Sequence, residues 1–369
     1  MNSYSEYLQP FLPYISSRLM SRQCLDDILF VTRSLPPTLA INPFHLECSL
    51  DERPITDFSV CAMASYGGHA ALSKLGSTGT MALPFANRAC WEQIRRFALS
   101  WADASSLLHQ KVEEVWLEFD ICSNPDTTRE AVRDTPSVFF SLGYTSPQEL
   151  ALRKPLALEY VRAAKEALDL LQGQSVSPTR LSRLSQCFDC LPKFARVLFV
   201  GAMISRQIGT IRVVLSGMSL DDMAHYLRSL GSHRPVDNFT SLAEISDLTD
   251  YMWLAIDIDD EGVSPRIGFD CYCGRLAQPS SEQRWRELLD YLVQEGMCVG
   301  YKRDALLGAG SMDQIESDER SWPDSLRMAS RILGPAGLNR MMISLHHVKI
   351  IERPGLPLEA KGYLCGSYR

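Results

Sequence analysis

The chain lacks any surplus of positive charge: 37 Lys and Arg stand against 44 Asp and Glu, a formal net charge of -7. Nonspecific attraction to nucleic-acid phosphates or an anionic membrane is thereby disfavoured, although a local cationic pocket can hide within an acidic total. Long hydrophobic runs are also missing. The apolar stretch "VLFVGAMI" is far too short to span a bilayer, and "MNSYSEYLQPFLPYISSRLM" has no charged leader followed by an apolar core. A cytoplasmic protein with no nucleic-acid and no membrane partner is expected. Metal-binding and redox patterns are thin too. Cys187 and Cys190 form one CxxC with no second pair and no neighbouring histidines, and the odd total of eleven cysteines suits reduced buried thiols better than a disulfide framework. The glycine-rich Tyr66 to Thr80 lacks the Gly-Lys-Ser/Thr ending of a P-loop and reads as a lid or crossover loop.

What the sequence does have is 46% hydrophobic residues over 369 positions, enough for a large core, and a recurring order of elements. Strand-sized alternating runs arrive in pairs, each flanked by helix-sized runs with a period near 3.6. There are five such units. "FHLECSL" and "TDFSVCAMA" form the first pair, and "EEVWLEFDI" with "PSVFFSLGY" the second. "RVLFVGAMIS" with "GTIRVVLSG", "MWLAIDID" with "PRIGFDCYCG", and "SLHHVKIIE" with "LEAKGYLCG" complete the set. Helical punctuation accompanies them, as where Ser219 opens and Gly231 closes "LDDMAHYLRSL".

Ten strands in five hairpins make too long a twisted sheet to stay open, and closure into a barrel is the economical answer. The expectation is an α+β fold in which residues 1–369 form one domain, with ten antiparallel strands surrounded by helices. The competing arrangement is an α+β protein with two smaller, half-exposed sheets. In a barrel the apolar side of each strand packs outward on helices and the alternate residues enter the lumen. That parity sends inward Glu47, Asp57, Trp116, Glu118, Asp120, Phe139, Arg212, Trp253, Asp257, Asp259, Arg266, Asp270, Tyr272, His347, Lys349, Glu359, Lys361 and Tyr363. His346 and His347 alternate in the run, so the same reading sends only His347 inward.

This order of elements resembles the ABBA aromatic prenyltransferases, whose barrel is built from five αββα units with the active site in the lumen. "FHLECSL" looks like the first-unit strand of the dimethylallyltryptophan synthase branch, and on that likeness Glu47 is the acceptor anchor and base. Lys361 and Tyr363 in "AKGY" are similar to the Lys-x-Tyr pairs that grip diphosphate, and Arg212 in "TIRVVLS" matches the first position of an Arg-x-Lys-x-Tyr run. Two family positions are absent: "TDFSVCAMA" lacks an Arg, and "SVFFSLG" has no Lys-x-Tyr.

The chemistry of prenyl transfer calls for a cationic cradle for the leaving diphosphate, aromatic faces around the allyl cation, and a carboxylate or histidine to orient and deprotonate the acceptor. Arg212, Arg266, Lys349 and Lys361 supply the first. Tyr272 and Tyr363 donate to phosphate and shield the cation, while Trp116, Phe139 and Trp253 form the acceptor's walls. Glu47, Glu118 and His347 are the acid–base candidates. No redox cofactor is implied. At least eight lumenal carboxylates face four cations, however, and unmatched buried charge is costly. Mg2+ between Asp257 and Asp259, or between Glu118 and Asp120, is one compensation; a cationic acceptor, such as an amine or a peptide side chain, is another. The function read from the sequence is transfer of a prenyl group from its diphosphate to an aromatic or other electron-rich small-molecule or peptide acceptor in natural-product biosynthesis. The alternatives are a cyclase or hydrolase acting on a cationic or peptide substrate without a prenyl diphosphate, and a noncatalytic ligand-binding barrel.

Overall fold

A computed structural model describes residues 3–75, 88–121, 135–143, 153–206, 209–232, 238–274, 282–309, 323–325, 327–328 and 341–368. The last third of the glycine-rich Tyr66 to Thr80, the Ser-Pro start of the helix before Arg153, and most of the last expected helix lie outside them. Ten strands are present: β1 (Phe44–Ser49), β2 (Thr56–Met63), β3 (Val112–Asp120), β4 (Ser137–Leu142), β5 (Arg196–Ala202), β6 (Ile211–Ser216), β7 (Tyr251–Ile258), β8 (Val263–Tyr272), β9 (Met341–Glu352) and β10 (Glu359–Tyr368). Each pairs antiparallel with its sequence neighbour, and β1 pairs with β10, so the sheet closes into a barrel.

Alternation decides which side chains face the helices. Leu46, Phe58, Val60, Leu117, Phe119, Phe140, Val213, Leu254, Phe269, Val348 and Leu364 share one continuous apolar core with helix residues. Those partners include Ile28 of Arg22–Thr32, Trp91, Ile94 and Phe97 of Arg88–Ala102, Leu168 of Arg153–Gln172, Tyr226 of Leu220–Ser229 and Leu288 of Gln283–Gln294. Each large apolar side chain buried there contributes roughly 1.5–3 kcal/mol. Phe139, Tyr272 and Tyr363 are buried as well but stand outside this core, on the lumenal side. Capping follows the sequence signals: Ser219 accepts the Asp222 N–H at 3.1 Å, Asp222 returns the bond to the Ser219 N–H, and Gly231 takes φ +83°.

The closing seam joins the strands most distant in sequence. Phe44 of β1 lies over Gly366 of β10, where a Cβ would collide with the Phe44 ring. Phe11 packs edge-on against both Phe44 (4.9 Å between centroids) and Tyr368 (5.0 Å), and the Tyr368 hydroxyl donates to the Tyr7 carbonyl at 2.6 Å. The N-terminal segment therefore staples the seam. A second fastening is Lys302 of the helix Gly300–Gly308, 4% exposed, whose Nζ donates to the carbonyls of Ser49 (2.7 Å), Asp51 (2.6 Å) and Arg53 (3.2 Å) around the β1–β2 turn.

Candidate active site

Acids and bases pair across the lumen. Lys361 of β10 donates to Glu47 of β1 and stands 3.4 Å from Asp57 of β2. Arg206 reaches Glu118 at 3.1 Å and Asp120 at 3.0 Å, both on β3, and Ser205 donates to Asp120 at 2.6 Å. Arg212 of β6 grips Asp257 of β7 with two bonds of 2.7 and 2.9 Å. Lys349 of β9 lies 2.9 Å from Asp270 of β8. Arg266 is left with a 3.8 Å approach to Asp257, which Arg212 already holds.

These pairings set the charge states. Burial pushes the Glu47 carboxyl up, but Lys361, together with a Tyr363 hydrogen bond, outweighs it and holds the group at about 2. Asp57 goes the other way. Burial raises it well above the carboxylate range, Lys361 only partly offsets this, and the neighbouring Glu47, Asp120 and Glu118 add repulsion. The shared Lys361 thus favours the ionised form of Glu47, while burial and the neighbouring acids favour the protonated form of Asp57. Glu118 is raised by burial, with Arg206 opposing and Glu47 and Asp120 reinforcing. Arg266 is lowered to about 10, first by burial and then by repulsion from Arg212.

Two expectations are corrected here. Asp257 and Asp259 do not converge on a common point: Asp257 is occupied by Arg212, and Asp259, past the end of β7, accepts the N–H groups of Glu261 (2.8 Å) and Gly262 (3.0 Å) in the hairpin turn. The other proposed pair, Glu118 and Asp120, shares Arg206 instead. Among the described residues no group of three or more His, Cys, Asp or Glu is placed to hold a metal. Guanidinium groups supply the positive charge that the sequence reading sought from Mg2+. Arg206, the missed cation, belongs to a 3-10 turn (Ile204–Arg206) after β5, where strand alternation carries no signal.

The second correction concerns the histidines. β9 carries a bulge: Tyr363 pairs with His347 but Leu364 pairs with Leu345, so His346 is the extra residue. Both rings consequently enter the lumen. His346 lies 4.6 Å from His45 and 5.6 Å from Tyr272, while His347 stacks on Tyr363 at 4.0 Å and on Tyr272 at 5.2 Å. Their Nδ1 atoms are 2.8 Å apart. Tyr251, also missed although it shares the parity of Trp253, continues the stack on Tyr272 at 4.8 Å. A ring column Tyr251–Tyr272–His347–Tyr363 therefore crosses β7 to β10, with Trp253 tilted against Tyr272 at 4.5 Å.

Across the seam His45 stacks on Trp116 at 4.5 Å, and Trp116 is the register partner of Phe139. Burial lowers all three lumenal histidines, His346 to about 4, so their rings are neutral at neutral pH. The structure brings Glu47, Lys361, Tyr363, His347, Tyr272 and Lys349 into one chain of contacts. Arg212 and Arg266 form a separate group on Asp257, and Glu118 joins Arg206.

No protein-family model matches the sequence, and no curated protein does. Among solved structures, the apo form of prenyltransferase PriB aligns with a TM-score of 0.52 at 14% identity, covering 99% of this chain and 96% of that one. The PriB ternary complex with L-tryptophan and dimethylallyl thiolodiphosphate gives 0.53 at 14% identity, covering 98% and 96%. At that identity the likeness is one of fold. The chain has the ABBA barrel architecture of this prenyltransferase, ten antiparallel strands closed into a cylinder inside a coat of helices.

Proposed function

We propose that this barrel transfers an allylic prenyl group from its diphosphate to an aromatic acceptor. The observation that carries the reading is that five basic side chains, Arg206, Arg212, Arg266, Lys349 and Lys361, line a lumen that also carries an aromatic column along β7 to β10. Buried cations are costly without an anion. Here each is held on a carboxylate in a form that a diphosphate can replace, and Arg266, with the weakest partner, is the one most disposed to take a phosphate oxygen. The PriB complex adds support, since its ligands are L-tryptophan and a dimethylallyl diphosphate analogue.

In this reading the diphosphate leaves against Arg206, Arg212, Arg266 and Lys361, with Lys349 beside Tyr363. Tyr272, Tyr363 and Trp253 present ring faces to the allyl cation, and Trp116 and Phe139 flank the acceptor. Moving Lys361 onto the diphosphate releases Glu47, which then accepts a hydrogen bond from the acceptor.

Calorimetric titration with dimethylallyl and geranyl diphosphate, followed by product analysis with L-tryptophan, L-tyrosine and indole, tests the proposal. Micromolar donor binding and a prenylated product are expected. If neither diphosphate binds, the transferase reading fails and the site belongs to a substrate without a diphosphate.

A further inference from the structure

Transfer of the allyl group to a ring carbon leaves a cationic intermediate that must lose a proton. Glu47, once the diphosphate draws off Lys361, is engaged by the acceptor's own hydrogen bond and not by the ring carbon. The β9 bulge creates another candidate. His347 Nε2 is 4.0 Å from Asp270 Oδ1, and its Nδ1 is 2.8 Å from Nδ1 of His346. Lys349 stands 2.9 Å from the same Asp270 oxygen but off the hydrogen-bonding line, so Oδ1 makes no hydrogen bond although it is buried.

Two tautomer pairs satisfy the Nδ1–Nδ1 contact, and the Asp270 carboxylate, 4.0 Å from His347 Nε2, biases the choice towards a proton on that nitrogen, which makes His347 Nδ1 an acceptor. His346 must then donate from Nδ1, and its Nε2 carries a bare lone pair. Among the described residues Nε2 of His346 has no hydrogen-bond partner. The groups that surround the pair are His45 of β1, Asp270 and Tyr272 of β8, Lys349 of β9 and Tyr363 of β10.

We infer that Asp270, His347 and His346 form a proton relay in which His346 Nε2 is the base that restores aromaticity to the prenylated acceptor. The ring C–H bond breaks, its electron pair returns to the ring, and the proton joins His346 Nε2. The His346 Nδ1 proton passes to His347 Nδ1, so the positive charge is shared by the two rings, with Asp270 favouring it on His346 and lying 4.0 Å from His347 while Lys349 opposes it on His347. His346 is the catalytic base, and His347 and Asp270 are positioning residues. This rests on the proposed prenyl transfer to carbon, and the experiment separates the two.

The test uses dimethylallyl diphosphate with L-tryptophan and L-tyrosine, each unlabelled or ring-deuterated. Deprotonation is fast in the wild type, so the ratio of rates with protiated and deuterated acceptor stays near 1. His346→Asn should lower turnover roughly 100-fold and raise that ratio to about 2 or more, because proton loss becomes rate-limiting, with binding of dimethylallyl thiolodiphosphate unchanged. Asp270→Asn should act in the same direction by a smaller factor. Transfer by the wild type combined with an unchanged isotope effect in His346→Asn overturns the relay alone. Absence of any prenylated product from the wild type overturns the transferase reading, and the relay with it.

A measurement on the unsubstituted protein guards against a variant that fails to fold. In histidine-15N-labelled protein, the relay requires protonated Nδ1 and bare Nε2 on His346, and the reverse on His347. The opposite assignment refutes it.

Discussion

Lys361 donates to Glu47 across the seam between β10 and β1, so a lumenal lysine and a lumenal carboxylate neutralise each other. Neither can serve a substrate without leaving the other. Glu47→Gln removes the competitor for Lys361, and binding of dimethylallyl thiolodiphosphate should tighten by up to about tenfold, equivalent to about 1.4 kcal/mol. Turnover should fall about 10- to 100-fold, since the acceptor loses its anionic anchor. The substrate-free variant should also be destabilised by about 1–3 kcal/mol, because the buried Lys361 keeps only Asp57, 3.4 Å away, as its anionic partner. Calorimetry, steady-state kinetics and denaturant unfolding check the three effects; weaker donor binding would contradict the pairing logic.

The buried histidines make stability depend on pH in a window of their own. An unfolded histidine titrates near 6.5, whereas burial lowers folded His346 to about 4. Below pH 6.5 the unfolded chain binds a proton that the folded chain refuses, so stability is full above 6.5 and declines as pH falls towards 4. The slope is about 1.4 kcal/mol per pH unit for this residue. Asp57 and Glu118, raised by burial, act with the opposite sign, which makes a difference measurement preferable. Urea unfolding at pH 7, 6 and 5 should show His346→Asn gaining on the wild type by that slope. Parallel curves would mean that His346 is charged in the folded protein.

The barrel and half of its lining were legible because a strand repeats every two residues, and five hairpins in a row repeat that signal. Glu47, Trp116, Tyr272, Lys361 and Tyr363 follow simple parity. Arg206 does not, because a 3-10 turn has no such period, and His346 was assigned to the wrong face because one inserted residue in β9 reverses parity locally. Charge compensation was foreseen as a need, but its agent was not. Pairing between Arg212 and Asp257 depends on β6 lying beside β7, a contact that strand order alone does not specify in residue detail.

Lys302 offers a test of the scaffold apart from the chemistry. Its ammonium group satisfies three carbonyls of the β1–β2 turn, next to the strand that carries Glu47. Lys302→Met keeps the aliphatic stem but leaves those acceptors unpaired, and each buried unsatisfied group costs about 1–3 kcal/mol. Denaturant unfolding should register a loss of about 2–4 kcal/mol. Donor affinity should change less than threefold, since Lys302 bonds to the turn and not to the lumenal cations.

The acceptor wall can be moved by one residue that carries no side chain. Gly201 of β5 pairs with Phe139 of β4, and a Cβ at 201 would run into the Phe139 ring. The ring therefore lies flat over the glycine, which keeps the lumen open on the side where Phe139 adjoins Trp116. Gly201→Ala must displace Phe139 towards the lumen axis. Overpacking of this kind costs about 1–3 kcal/mol, and its functional effect falls chiefly on the acceptor, because a Cβ at 201 would meet the Phe139 ring first, although Arg212 is the register partner of Gly201 on β6. KM for a two-ring acceptor such as L-tryptophan should rise about tenfold relative to that for L-tyrosine, with donor affinity changed less than threefold. Equal KM shifts for both acceptors would place Phe139 outside the acceptor wall.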